Sequence, residues 1–345
     1  MRDRKGQKGH AVKLKDIGEF GFIDKIKHDA LIREYLGLVG IGDDCAVFRV
    51  EEGKSILLTT DMLLERVHFL REVMTPYQIG YKALAANLSD IAASGGLPKE
   101  AFVSIAVPED LSLEELLELY DGMKELARKF DVNITGGDTT TSLQDLVINI
   151  ALTGEIEEDL ALYRSGAKAG DYICVTGFLG DSAAGLDLIL NHRKEMHNFP
   201  QLIKQHFTPI PHIEQGRAVS RSRLANSMMD ISDGLASDIR HISKASKLGA
   251  ILYEERFPHS EEFQKYLAEF NPDYLKTAIG VGEDYCLLLT VSQQNYARLK
   301  EVLNNLGHQF YNVGEMAEGE EIHIVYKNGR KAILELSGWD QFKEH

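Results

Sequence analysis

Three features of this 345-residue sequence predict an α/β fold in two domains. Segments of helical and of strand periodicity alternate along most of the chain, the pattern of layered sheet and helix. The length exceeds what one hydrophobic core comfortably takes, so two units of ordinary size are expected. A change of texture at "LYRSGAKAGDYICVTG" then sets the boundary. The expected parts are an N-terminal domain over residues 18–158 and a C-terminal α/β domain over residues 159–345.

Residues 1–17 are basic and lack apolar periodicity, and they read as a polar tail outside the fold. "GKSILLTTDM" reads as a buried strand ending at Asp61. "PYQIGYKALAANLSDIAASG" has the i, i+3, i+4 apolar spacing of a helix and breaks at Gly95 and Gly96. "LSLEELLELYDGMKELARKF" is a second helix, with Ser112 and Glu115 spaced as a capping box. "DLVINIALTG" alternates as a strand does. The second half predicts a strand over residues 172–176, a helix from Asp181, a strand ending at Asp230 and a helix from Gly234. A strand at "YCLLLTV" and a helix at "QQNYARLKEVLNNLG" follow. "IHIVYKNGRKAILEL" closes as a hairpin with Asn328 and Gly329 in a type I′ turn.

Lys and Arg number 38 against 53 Asp and Glu, a formal charge of −15, which argues against nucleic acid as the main partner. An anionic ligand would need cations to mediate. Cys45, Cys174 and Cys286 are far apart with no CxxC pair, so they read as buried free thiols rather than a disulfide framework or a zinc site. The polar start and the lack of any apolar run near the ~18 residues of a membrane span predict a cytoplasmic protein with no membrane partner.

Aspartates recur beside glycines, hydroxyls or strand ends: Asp43 and Asp44 in "GIGDDCAVF", Asp61 in "LLTTDM", Asp90 in "NLSDIAASGG", Asp138 in "NITGGDTTTS", and Asp230 and Asp233 in "MMDISDGLASD". Any one alone reads as a cap or turn residue, and Asp233 is well placed to cap the helix that follows it. The set reads differently, because clustered carboxylates repel unless cations hold them together. Oxygen-only donors, with Thr59, Thr60 and Ser232 close in sequence, favour Mg²⁺ over zinc or copper. A site for several magnesium ions in an α/β enzyme points to nucleotide phosphates. The common phosphate loops fail: Gly53-Lys54-Ser55 lacks its Walker glycine, that place being Phe48, and "GVGEDY" has Tyr285 where a dinucleotide fingerprint needs glycine. Phosphate is expected to meet metal ions, the amides at Gly136 and Gly137, and Arg164.

The stretches "GIGDDCAVF", "TTDMLLERVHF", "GYKALAANLSDIAASG", "ITGGDTT", "LYRSGAKAGDYICVTGFLGDSAAGL", "MMDISDGLASDI", "GVGEDYCLLLT" and "SGWDQF" span nearly the whole chain. Together they resemble the thiamine-monophosphate kinase family, in the superfamily of aminoimidazole ribonucleotide synthetase. The resemblance implies a homodimer paired through the N-terminal sheets. It also implies magnesium-assisted, in-line transfer of the γ-phosphoryl of ATP to thiamine monophosphate, the last step of thiamine diphosphate biosynthesis. Carried over by position, Asp44, Thr59, Thr60, Asp61, Asp90, Asp138, Asp230 and Asp233 match magnesium ligands. Tyr120, Gly137, Asp138, Arg164 and Ser232 match contacts to ATP, and His68, Glu283 and Trp339 match contacts to the thiamine part. Val281 departs from the pattern, which expects a small residue there. No residue is cast as a general base, since the second pKa of a phosphate monoester is about 6 and the acceptor oxygen is already ionised. The rival of another class is a cation-dependent nucleotide-binding module, which would keep Asp138, Asp230 and Asp233 without the thiamine contacts.

Overall fold

The computed structural model describes residue 22, residues 25–33 and residues 51–336. The expectations for residues 1–17, Asp43, Asp44, Cys45 and Trp339 concern residues outside the described ones. The described chain divides into two compact units, the first of residues 22, 25–33, 60–84 and 100–151, the second of residues 51–59, 85–99 and 152–336.

The first elements are β1 (Lys54–Leu64), α1 (Pro76–Ala93), β2 (Leu97–Pro108), α2 (Leu113–Phe130), β3 (Asn133–Ser142) and β4 (Val147–Glu157). Their strands make a four-stranded sheet in the order β1-β4-β2-β3. β1 runs past Asp61 to Leu64 and is not the buried strand expected. It is the sheet's edge, and Ile56, Leu58 and Met62 on it are 50%, 71% and 60% exposed. β2 and β3 pair in parallel through the crossover helix α2. α2 starts with the expected capping box: Glu115 N–H donates to the Ser112 hydroxyl at 3.2 Å, and Ser112 N–H donates to the Glu115 carboxylate at 2.8 Å. α2 then buries Leu116, Leu119, Met123 and Leu126.

The remaining elements are β5 (Tyr172–Val175), α3 (Asp181–Asn191), α4 (Pro200–Phe207), α5 (Ile213–Ser222), β6 (Ala225–Asp230), α6 (Leu235–Ser246), β7 (Gly249–Tyr253), α7 (Glu261–Phe270), α8 (Tyr274–Ile279), β8 (Leu287–Val291), α9 (Gln293–Asn305), β9 (Tyr311–Ala317), β10 (Ile322–Val325) and β11 (Lys331–Ile333). They build a seven-stranded sheet in the order β11-β10-β7-β9-β5-β8-β6. β7 and β10 run parallel, and the other neighbours antiparallel. Its core joins aliphatic residues such as Ile173, Val175, Leu235, Ile239 and Leu288 to the buried rings of Phe263 and Tyr266. Cys174 and Cys286 are free and buried there, as expected, and burial raises both thiols well above their ordinary pKa. The β10–β11 hairpin forms, but its turn is not type I′. Only Gly329, at φ 81°, is left-handed. Gly329 N–H donates to Tyr326 O at 2.8 Å and Tyr326 N–H to Arg330 O at 2.9 Å, a type I turn closed by a glycine bulge. No helix among the described residues is long and apolar enough to cross a membrane.

α1 and α2 pack where glycines let their backbones meet. A Cβ on Gly80 would lie 1.9 Å from Leu119 O, and one on Gly122 would lie 1.9 Å from Tyr77 O. Gly80→Ala should therefore destabilise the protein by about 2 kcal/mol, overpacking outweighing the better helix propensity of alanine. A lower urea midpoint at unchanged slope is the expected readout; an unchanged midpoint would refute the close approach.

Candidate active site

β6 ends on Asp230, opposite Leu287 of β8. Beyond it the chain stays bound to the residues that precede β8. Ile231 N–H donates to Cys286 O at 2.8 Å, Tyr285 N–H to Ile231 O at 2.9 Å, and Glu283 N–H to Ser232 O at 2.8 Å. Such a close approach needs glycine. Gly282 has φ 93°, and a Cβ on it would lie 2.3 Å from Ser232 O.

Asp233 does not cap α6. The N-cap is Gly234, with no side-chain bond. Asp238, in the helix's own first turn, instead binds the loop before the cap, its Oδ2 accepting Ser232 N–H at 3.1 Å and Asp233 N–H at 3.3 Å. A carboxylate is favoured at this end of a helix, where free N–H groups and the dipole are positive. Asp238 is 1% exposed. Burial, and then the charges of Asp230 and Asp233, hold its carboxyl well above the usual range. Its Oδ1 is buried without a hydrogen-bond partner among the described residues.

Asp233, Asp238 and His241 each offer a ligand atom, all within 4.8 Å of one another. Arg164 belongs to the same neighbourhood, because partial burial and then its guanidinium lower the His241 imidazole, with Asp233 opposing them. The Arg164 segment is fixed by main chain: Met228 N–H donates to Tyr163 O at 2.9 Å, and a Cβ on Gly166 would lie 2.4 Å from Asn226 O. Asp230 is buried and accepts the Ser89 hydroxyl at 2.7 Å. Asp90, next to Ser89 on α1, accepts the Thr59 hydroxyl. Hard oxygen donors and a buried carboxylate oxygen with no donor fit a divalent cation such as Mg²⁺.

The second unit thus brings together Thr59, Asp90, Arg164, Asp230, Ser232, Asp233 and Glu283 of the expected residues. In the first unit, the Thr60 hydroxyl donates to Asn149 Oδ1 at 3.2 Å, and Asp61 lies half-buried within β1. Asp138 lies exposed within β3 and its Oδ1 accepts Thr139 N–H at 3.0 Å. Neither aspartate ends a strand. Gly137 presses against β2, since a Cβ there would lie 1.8 Å from Val103 O. His68 follows β1 and its Nδ1 accepts Leu64 N–H at 3.0 Å. Tyr120 is buried in α2, its ring edge-on to Phe22 at 5.7 Å, and burial raises its hydroxyl pKa. Ser89, Asp238 and His241 were not singled out from the sequence. Asp238 had a local signal, an acid in the first turn of a helix. Ser89 had none beyond its place beside Asp90.

The AIR synthase related protein N-terminal domain family matches residues 42–156, and the AIR synthase related protein C-terminal domain family matches residues 168–327. The thiamine-monophosphate kinase of Bacillus subtilis (strain 168) is 37% identical over 310 residues, which cover 88% of this chain and 94% of that protein. The crystal structure of thiamine-monophosphate kinase from Stenotrophomonas maltophilia K279a is similar at a TM-score of 0.80 and 29% identity, covering 92% of this chain and 98% of that one. A solved structure described as "AaThiL complexed with AMPPCP and TMP" is similar at a TM-score of 0.75 and 34% identity, covering 97% and 100%.

Acids are also buried at the N-terminus of α3. Asp284, 4% exposed, accepts Gly180 N–H through Oδ1 at 3.1 Å and Oδ2 at 3.3 Å, while Asp181 accepts the Ser260 hydroxyl at 2.8 Å. Burial is the main cause that pushes Asp181 from its ordinary 3.8 to about 6. Between those values the folded chain holds a proton that the unfolded chain has released, so this contribution is full below the lower value and is lost as pH rises through the upper one. Asp181→Asn should remove about 2 kcal/mol of that loss. The melting temperature of the variant, relative to the parent, should then rise between pH 4 and pH 7; a constant difference would refute the shift.

Proposed function

The chain belongs to the thiamine-monophosphate kinase family of AIR synthase related proteins, and on that premise we propose that it transfers the γ-phosphoryl of ATP to thiamine monophosphate, giving thiamine diphosphate and ADP. The observation that carries the reading is the approach of Asp233, Asp238 and His241 to one another, with the charges of Asp230 and Arg164 acting on them. The related structure with AMPPCP, a non-hydrolysable ATP analogue, and TMP supports both substrates.

Several magnesium ions, when bound, would supply charge neutralisation to the two phosphate groups. Asp44, Thr59, Thr60, Asp61, Asp90, Asp138, Asp230 and Asp233 would hold them. Asp238 serves this set indirectly, by fixing the Ser232 and Asp233 amides and so the direction of the Asp233 side chain. Arg164 presents its guanidinium to phosphate oxygens, for which its fork of donors is suited. Gly137, having no side chain, lets backbone approach the nucleotide, with Tyr120, Asp138 and Ser232 as further ATP contacts. His68, Glu283 and Trp339 receive the thiamine part, Glu283 by charge and Trp339 by offering a flat face to a cationic ring. No side chain has to take a proton, because the attacking phosphate oxygen is ionised at neutral pH.

Of the two expected domains, residues 18–158 serve ATP and metal binding and dimerisation and residues 159–345 form the C-terminal α/β domain, in a cytoplasmic homodimer. The uncovered Ile56, Leu58 and Met62 on the edge strand support pairing through the N-terminal sheet.

With ATP, Mg²⁺ and thiamine monophosphate the protein should form thiamine diphosphate and ADP, whereas a nucleotide-binding module would bind ATP and form neither. Asp230→Ala should lower kcat by about 100-fold or more while circular dichroism stays that of the parent. Retained turnover would remove Asp230 from the reading. Leu58→Asp should convert a dimer to a monomer in sedimentation; a sedimentation coefficient equal to the parent's would exclude this edge as the interface.

A further inference from the structure

We propose that His206 is a positioning residue that holds the Glu283 carboxylate ready for the positively charged part of the substrate, an inference that rests on Glu283 being a substrate contact. The segment around Glu283 is built under strain. Glu283 and Tyr285 have φ of 59° and 49°, the left-handed region that side chains disfavour. Such backbone persists only where its surroundings over-determine it, and it concentrates at ligand sites.

Three elements over-determine it here. The Ile231 and Ser232 carbonyls beyond β6 accept Tyr285 N–H and Glu283 N–H. The N-terminus of α3 binds the Asp284 carboxylate through Gly180 N–H. From α4, the Gln205 amide donates to Asp284 O at 3.0 Å.

The next residue of α4 then reaches the side chain. His206 Nδ1 lies 3.3 Å from Glu283 Oε2 and 3.1 Å from the Ser182 hydroxyl. The imidazole is 5% exposed, while the Glu283 side chain is 26% exposed, so the carboxylate has a fixed, buried side and an open one. α4 has little freedom to move, because a Cβ on Gly185 would lie 2.4 Å from Leu202 O and 3.1 Å from His206 Cβ. A glutamate anchored in this way has given up rotamer freedom before ligand arrives, which favours a cation met at one fixed place. Its chemistry selects a positively charged heteroaromatic ring over a neutral one of the same shape.

The test compares His206→Leu, which removes the ring nitrogen, with His206→Gln, which restores a side-chain N–H, and with Glu283→Gln, each checked by its melting temperature. His206→Leu should raise the KM for thiamine monophosphate about tenfold, the scale of one lost charge-assisted hydrogen bond, with the KM for ATP and kcat as in the parent. His206→Gln should recover most of that loss and stands as the decisive variant if the leucine form does not fold. Equal changes in both KM values, or a glutamine form no better than the leucine form, would mean that His206 only packs. A raised KM in Glu283→Gln with an unchanged one in His206→Leu would overturn the positioning role alone. An unchanged KM in Glu283→Gln would overturn the reading of Glu283 itself, and the inference with it.

Discussion

The hydrogen bonds that Asp238 accepts from Ser232 and Asp233 are the contacts on which the second unit's acidic centre depends. They turn the residues beyond β6 onto the first turn of α6, so that three aspartates meet at one end of a helix. Without that carboxylate, the Ser232 and Asp233 N–H groups of the loop before α6 would lose their acceptor, a cost of roughly 1–3 kcal/mol each. The gain in local structure carries an electrostatic penalty. Burial and two like charges disfavour ionised Asp238, and its Oδ1 is left without a donor. A cation resolves that conflict where a hydrogen bond would resolve only half of it, since it favours all three charges at once.

The strained turn at Glu283 and Tyr285 follows from the same packing. Gly282 approaches Ser232 so closely that the two loops act as one surface, and the main-chain bonds between them fix where Glu283 emerges. Sequence neighbours therefore diverge in role. Asp284 points inward to the N-terminus of α3, and Glu283 stays partly exposed. A left-handed residue stands on either side of Asp284, Glu283 at φ 59° and Tyr285 at φ 49°, so the segment turns sharply before β8 begins.

How much of this could be read from the sequence depended on the range of the deciding interaction. The capping box of α2 was legible because Ser112 and Glu115 settle it between themselves. The cap of α6 was misread because the helix starts one residue later than Asp233 needs, with Gly234 as its N-cap. That start is set by Gly234, whose φ of 99° is tied to its contact with the Ile279 carbonyl. At the hairpin, Asn328 and Gly329 suit either a type I′ turn or the last two places of a type I turn with a bulge, and register with β11 selects the second. β1 read as buried because the apolar run Ile56-Leu57-Leu58 looks the same whether or not another layer covers it. Aspartate spacing disclosed the acids but not the hydroxyls: nothing in the sequence marks Ser89 as the donor to Asp230 or Thr59 as the donor to Asp90.

Buried acids are costly to keep. Asp181, Asp238 and Asp284 all have carboxyls raised chiefly by burial, and raised carboxyls subtract from stability at neutral pH. A chain selected for stability alone would replace them with asparagine or apolar residues of similar volume, which lose little hydrogen bonding and no ionisation penalty. Keeping Asp238 where the core could do without charge makes sense if the folded state is used with cations bound, because binding to the folded chain alone restores stability as ligand excess grows. Stability and ligand binding then both draw on the Asp238 carboxylate. Neutralising Asp238 relaxes the fold and weakens the binding centre in one step, whereas neutralising Asp181, bonded to Ser260 and away from that loop, relaxes the fold alone.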